Sequence, residues 1–329
     1  GTSAIYLAFM SMGLKSGDNI ILPAINFVAS ANMAKIIGAN IFLADVDSVT
    51  GQVTKKTIEE CINKNKLKKI KLLVTMFLGG NPLFIEDYYA LKKKYNFLIL
   101  EDACHALGAK YKLNQKIYKV GSCKHSDISI FSLHPLKSIT TGEGGIISTN
   151  NKFFFENCKL LRSHGMVKNA KYYNFKYDIV MSGFNFRLSD INCALGISQL
   201  KNLDKFIKKR TQIAKLYNKL FDKFENIEIT HNKNLKNFSS WHLYIININY
   251  RKLKISRNKL IKFLYKNKIL TQVHYIPIFM FKKFKNMNKK NNFSNTLKYY
   301  NNCLSLPIFY DLKKKDQFTI VNKIKKFLN

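Results

Sequence analysis

Acidic residues are scarce in this chain: 20 Asp and Glu stand against 55 Lys and Arg in 329 residues, a formal net charge of +35. Such a balance points to anionic partners: nucleic acid, an acidic membrane surface or a phosphorylated substrate. The excess is mostly Lys and is spread through the chain, so most of it reads as solvated faces rather than a binding stripe, and nucleic acid is not the expected partner. Cysteine is thin as well. Cys61, Cys104, Cys123, Cys158, Cys193 and Cys303 lie scattered without a C-x-x-C, which excludes a disulfide framework and fits buried thiols in a reducing cytoplasm. The longest apolar stretch near the start, Ala4 to Met12, is too short to span a bilayer and has no basic segment before it. Seven His and six Cys show no zinc or iron spacing, so no metal site is expected. No G-x-G-x-x-G follows a strand, no G-x-x-x-x-G-K-[ST] occurs, and no Ser sits in G-x-S-x-G. Nucleotide-fold fingerprints and the serine-hydrolase elbow are thereby absent.

What is present is a globular α/β pattern. A hydrophobic fraction of 47% with 13% aromatics excludes a disordered chain. In the first half, strand and helix signals alternate at the short spacing of a mostly parallel, helix-covered sheet. Strands are expected at Asn19–Leu22, Ile41–Ala44, Ile70–Met76, Phe97–Leu100, Ile128–Phe131 and Gly145–Ser148. Helices are expected at Phe27–Ile37, Lys55–Asn63 and Ile85–Tyr95, and helical patterns dominate from Phe153 to about Tyr217. Strands Trp241–Ile248 and Leu270–Tyr275 with helices Arg257–Lys266 and Asp316–Phe327 suit a small α+β domain, and 281–292 reads as a basic surface loop. A large domain over 1–205 and a small one over 206–329 follow. Because the chain opens on Gly1, without Met and already inside a motif, further residues are expected upstream.

Polar residues gather at the strand ends, where open α/β sheets place ligands. Asp102 directly follows an apolar strand. A carboxylate there can hold a pyridine nitrogen protonated and make the ring an electron sink, or it can cap a turn. His105, three residues on, could face such a ring or be a satisfied polar histidine. The stretch from Phe131 to Gly145 sets a single lysine, Lys137, among small and hydroxyl residues, with Ser132 before it and a glycine-rich turn after it. A lysine held near a phosphate and away from bulk water can lose enough basicity to form an imine. The other reading is a phosphate-binding or structural loop with an incidental lysine. Gly1-Thr2-Ser3-Ala4 opens an apolar helix, either as an anion site or as a plain N-cap.

These strings resemble, nearly end to end, the DegT/DnrJ/EryC1/StrS sugar-nucleotide aminotransferases. The matching segments are Gly1–Ala4, Asn26–Asn32, Glu101–Gly108, the Ser132–Gly145 lysine loop, Arg162–Gly165, Gly183–Arg187 with Ala194–Gly196, and Val273–Pro277. The resemblance implies a fold-type-I homodimer using pyridoxal 5'-phosphate (PLP). Lys137 would hold the cofactor as a Schiff base, Asp102 would pair with its pyridinium nitrogen, Phe27 would stack on its ring and His105 would lie near its oxygen. Thr2, Ser3 and Ser132 would hold its phosphate, with Asn185 from the other subunit. Arg187, His274 and Tyr275 would face the sugar nucleotide. Within the family the strings are most like those of the pseudaminic-acid branch, which implies amination at C4 of a UDP-linked 4-keto-6-deoxy-2-acetamido sugar, with L-glutamate as donor. Another nucleotide 3-keto or 4-keto sugar, or a basic nucleic-acid or membrane-surface protein on an inactive scaffold, are the alternatives. Sugar 3-dehydratases of the family carry His in place of the lysine, which Lys137 argues against.

Overall fold

The computed structural model describes residues 1–168, 176–222, 224–230, 238–285, 287 and 292–328. The chain runs from α1 (Thr2–Ser11) through β1 (Asn19–Pro23), α2 (Ala29–Ile37), β2 (Asn40–Ala44) and α3 (Lys55–Lys64). It continues with β3 (Leu72–Met76), α4 (Ile85–Tyr95) and β4 (Leu98–Asp102). A small hairpin, β5 (Lys110–Leu113) and β6 (Lys116–Lys119), precedes β7 (Ile128–Ser132) and β8 (Gly145–Ser148). The central sheet has the order β2-β1-β3-β4-β7-β8, and every neighbouring pair is parallel except β7 with β8. Strands covered on both faces must be apolar almost throughout, and β3 is buried at every residue.

Local chemistry sets the helix limits. Thr54 and Thr57 exchange side-chain-to-backbone bonds as a capping box at the start of α3. Gly38, at φ +87°, stops α2 in a left-handed turn that a Cβ would disfavour. In α4, Glu86 and Asp87 occupy the first turn and Lys92, Lys93 and Lys94 the last, matching the helix dipole. The helix expected from Phe27 begins only at Ala29, which leaves Phe27 outside it and 53% exposed.

Helices dominate the run from Phe153 to about Tyr217, as expected, with one interruption. After α5 (Lys152–Arg162) the chain makes a hairpin, β9 (Met166–Lys168) with β10 (Tyr177–Ile179), before α6 (Asp190–Leu200) and α7 (Leu203–Phe221). Gly165, at φ +67°, diverts the backbone, and its carbonyl accepts the Val180 N–H at 3.0 Å. Residues 169–175, also in that run, lie outside the described residues.

Beyond α7, β11 (Ile227–Ile229), β12 (Tyr244–Ile248), α8 (Arg257–Lys266), α9 (Ser294–Asn302), β13 (Cys303–Leu306) and α10 (Lys314–Leu328) follow. The three strands form an antiparallel sheet in the order β11-β12-β13, whose core is built by residues such as Tyr217, Tyr244, Leu260, Leu264 and Ile320. The strand expected at Leu270–Tyr275 does not form. Its one ladder contact is Gln272 with Ser305, because Gln272, His274 and Tyr275 turn to line a cleft. Within the stretch 281–292, read as a surface loop, Phe284 is buried against the large core, while 286 and 288–291 lie outside the described residues. α9 is tied back to the central sheet: Asp45 Oδ1 accepts the Thr296 amide at 2.7 Å and its hydroxyl at 2.6 Å. No described helix is long and apolar enough to cross a membrane.

Candidate active site

The carboxyl ends of β3, β4 and β7 open into a cleft of about 1160 Å³. Asp102 closes β4 there, buried, with its Oδ1 accepting the Cys104 N–H at 3.2 Å. Ser132 closes β7, and the loop it opens is stitched to itself. The Leu133 amide donates to Gly144 O (3.0 Å), the Thr141 amide to Leu133 O (3.1 Å), and the Lys137 amide to His134 O (2.9 Å). A loop this well bonded fixes where its one lysine stands. Burial lowers the Lys137 ammonium below its usual range, while the charges of Cys104 and Asp102 pull the other way. Burial thus disfavours the charged form of Lys137, the direction that imine formation requires.

Facing that loop is the start of α1. Its N-cap, Gly1, offers no side-chain cap, and its first turn carries no acid. The hydroxyls of Thr2, Ser3 and Ser132 line the same corner, and a Cβ on Gly1 would stand 3.0 Å from the Ser132 Cβ. Amide and hydroxyl donors converging at a helix N-terminus make an anion site.

The opposite wall is made of imidazoles. His105 is buried, with its ring centroid 4.4 Å from that of His242 and 6.4 Å from that of His274. Burial first, then the Lys137 charge, pushes His105 and His242 well below the usual histidine range and brings His274 to about 4. Burial thus disfavours the charged form of all three rings, and two of them are hydrogen-bonded. His274 Nδ1 lies 2.8 Å from the Ser305 hydroxyl, and the Tyr275 hydroxyl lies 2.9 Å from His105 Nε2. Phe27 closes the top, with its ring 5.9 Å from that of Tyr275. Arg187 lines the outer rim with Arg162 of α5.

Thus Thr2, Ser3, Phe27, Asp102, His105, Ser132, Lys137, Arg187, His274 and Tyr275 share one cleft. Asn185 does not line it; it is exposed and pairs its backbone with Ser163. Sequence reasoning missed His242 and Arg210. Arg210 Nη1 donates to the carbonyls of Trp241 (3.1 Å), His242 (3.3 Å) and Ile308 (3.0 Å). Its sole signal was a guanidinium among the lysines of α7. His242 gave none, since it stands just before a buried strand with no motif around it.

Alternation along β4 sends Glu101 to the face of the sheet opposite Asp102. It is buried and accepts a short bond from the Ser129 hydroxyl. Burial, opposed by that bond, pushes its carboxyl from 4.5 up to about 7. Because the raised value belongs to the folded state, the stabilisation is fully present below about pH 4.5 and is lost as pH rises toward about 7. The loss is on the order of 3 kcal/mol. Glu101→Gln is expected to remove this slope, so that the variant overtakes the parent in urea midpoint at pH 8 but not at pH 4. Parallel pH profiles for the two proteins would assign the slope to another group.

Residues 1–325 match the DegT/DnrJ/EryC1/StrS aminotransferase family. The chain is 38% identical over 335 aligned positions to a UDP-4-amino-4,6-dideoxy-N-acetyl-beta-L-altrosamine transaminase of Campylobacter jejuni, covering 99% of this chain and 85% of that one. Among solved structures it is similar to Helicobacter pylori PseC, an aminotransferase involved in the biosynthesis of pseudoaminic acid. That match has 32% identity, a TM-score of 0.89, and covers 99% of this chain and 84% of that one. It is also similar to the PLP-form of the putative sugar aminotransferase Spr1654 from Streptococcus pneumoniae, with 25% identity, a TM-score of 0.87, and coverage of 99% and 85%.

Proposed function

The chain belongs to the DegT/DnrJ/EryC1/StrS aminotransferase family, and from that premise we propose that it is a PLP-dependent, cytoplasmic enzyme aminating C4 of a UDP-linked 4-keto-6-deoxy-2-acetamido sugar, with L-glutamate as donor, in the synthesis of a pseudaminic-type sugar. The observation that carries the reading is the placement of one basicity-lowered lysine, one buried strand-end carboxylate and one uncapped helix N-terminus around a single cleft.

The donor set fits the cofactor. The amides of α1 with the hydroxyls of Thr2, Ser3 and Ser132 suit a phosphate, and Asp102 suits a protonated pyridine nitrogen. Bound PLP supplies an electron sink that lets a bond to the carbon bearing nitrogen break. Lys137 Nζ would hold the cofactor at its aldehyde and would move a proton as acid and base. Asp102 would keep a pyridine nitrogen protonated, and Phe27 would cover the ring. Arg187 and Arg162 meet the diphosphate at the rim. Amination at C4 leaves 2-oxoglutarate as the second product.

The test is a coupled assay with L-glutamate across a panel of UDP- and dTDP-linked keto sugars. The expected outcome is an amine at C4 of the UDP-linked 4-keto-2-acetamido sugar. Turnover only with dTDP sugars, or only at C3, would remove the substrate assignment.

We also propose that the enzyme is a homodimer with shared sites. α6 is apolar yet has no buried residue, with Ile191 84% and Ile197 62% exposed, and Asn185 stands outside its own cleft. A second copy would cover that face and bring Asn185 to the neighbouring phosphate corner. Ile191→Asp is expected to convert a dimer to a monomer by light scattering. A monomeric parent protein would defeat the assignment.

A further inference from the structure

Arg210 carries a charge that the described residues do not balance. It stands in α7 and lines the cleft, half-buried. Its Nη1 donates to the carbonyls of Trp241, His242 and Ile308 at 3.1, 3.3 and 3.0 Å. Among the described residues Nη2 and Nε have no hydrogen-bond partner, and no carboxylate lies within ion-pair distance of the group. Burial lowers its basicity, and no opposite charge offsets that. A cation withdrawn from water without a counter-charge is costly unless an anion completes the site. Beside it stands His242, whose carbonyl Arg210 holds. The residue is 8% exposed, and its Nδ1 is sealed off without a partner among the described residues, so Nε2 is the remaining polar edge of the ring. The charges of Lys137 and Arg210 both bear on that ring. The guanidinium and the loop lysine therefore stand near one imidazole in one cleft.

Resting on the L-glutamate reading above, we propose that Arg210 and His242 form the subsite for a carboxylate of the amino donor, and for the same carboxylate of the oxo acid that leaves. With Nη1 spent on carbonyls, the free edge of the guanidinium is Nε with Nη2. That edge offers parallel N–H groups, the geometry that a planar carboxylate accepts in bidentate fashion. An uncharged imidazole adds one N–H donor for an oxygen. The subsite thus sets one positive charge against one negative charge. A diphosphate carries more charge, and the cleft offers it the guanidiniums of Arg162 and Arg187 at the rim. The cofactor phosphate has the hydroxyl corner of Thr2, Ser3 and Ser132. The donor carboxylate is the anion of the proposed reaction still without a partner. Three backbone carbonyls hold the guanidinium in place beforehand, so little ordering is needed when a ligand binds.

The probe is glutarate, a dicarboxylate with no amine to react, titrated into the PLP-loaded enzyme by calorimetry. Arg210→Lys keeps the charge and loses the paired N–H edge. His242→Phe keeps an aromatic ring and loses the N–H. Each is expected to weaken glutarate binding by about tenfold or more. In single-turnover assays each should weaken L-glutamate to a similar extent and leave the keto sugar within about threefold of the parent. An equal loss with L-glutamine would place the α-carboxylate in the subsite, and a loss confined to L-glutamate its side-chain carboxylate; either supports the assignment. Because Arg210 also ties three backbone carbonyls, a damaged fold would weaken both substrates together. His242→Phe breaks no hydrogen bond of the ring among the described residues, so it separates the two causes. Unchanged glutarate affinity in that variant would overturn the assignment. So would a raised KM for the keto sugar with glutarate binding intact, which would give Arg210 to the sugar nucleotide. A parent protein that binds glutarate through these residues yet takes no nitrogen from L-glutamate would defeat the donor reading while the carboxylate subsite stood. Turnover with L-glutamate that both variants leave untouched defeats the subsite alone.

Discussion

Lys137→Ala is expected to abolish turnover, a loss of roughly four orders of magnitude or more, since imine formation and the proton shuttle depend on one amine. Borohydride treatment of the parent enzyme should fix the cofactor on Lys137, and the variant should yield no fixed adduct. The position is specific although 55 Lys and Arg populate the chain. Most lysines stand on solvated helix faces, whereas Lys137 is held in a loop closed by backbone bonds between β7 and β8 and has its charge disfavoured by burial. Peptide mass spectrometry that found the adduct on another lysine would refute the assignment. The loop is bonded through its backbone, so the truncation should leave folding intact, and the thermal midpoint should stay close to that of the parent.

Asp102→Asn should retain PLP while lowering turnover by about three orders of magnitude, comparable to removing a preorganised charge from a transition state. The amide can still accept the Cys104 N–H, which Asp102 Oδ1 accepts at 3.2 Å, so the strand end should keep its shape. What it cannot do is balance a protonated pyridine nitrogen. The half-reaction with L-glutamate, followed by the cofactor absorbance in a stopped-flow instrument, separates the two roles. A rate within about threefold of the parent would reduce Asp102 to a turn residue, the reading that its sequence position also allows.

Much of the site was legible because its parts sit in contiguous strings. The Ser132–Gly145 loop, the Asp102 strand end and the Gly1–Ala4 helix start each carry their chemistry within a few residues, and the structure brings all three to one cleft. The partners of His105 were not legible in the same way. Tyr275 stands 170 positions along the chain from it, and the stretch that carries Tyr275 was read as a strand, whose alternation would have sent Tyr275 and His274 to opposite faces. Instead the backbone leaves the ladder after Gln272, and both side chains line the cleft.

The sequence by itself determined the strand-and-helix alternation of the first half, the central parallel sheet and the lysine loop. Apolar periodicity, capping residues and glycine turns act over a few residues and leave a local trace. Only the tertiary structure decided which histidines meet. It packs α9 and the 240–243 segment back against the central sheet, through Asp45 with Thr296 and Ser240 with His105. That packing buries His105 and His242 and half-buries His274, which disfavours their charged forms. Their protonation depends on desolvation by atoms distant in sequence, and desolvation has no local signature for a motif to carry.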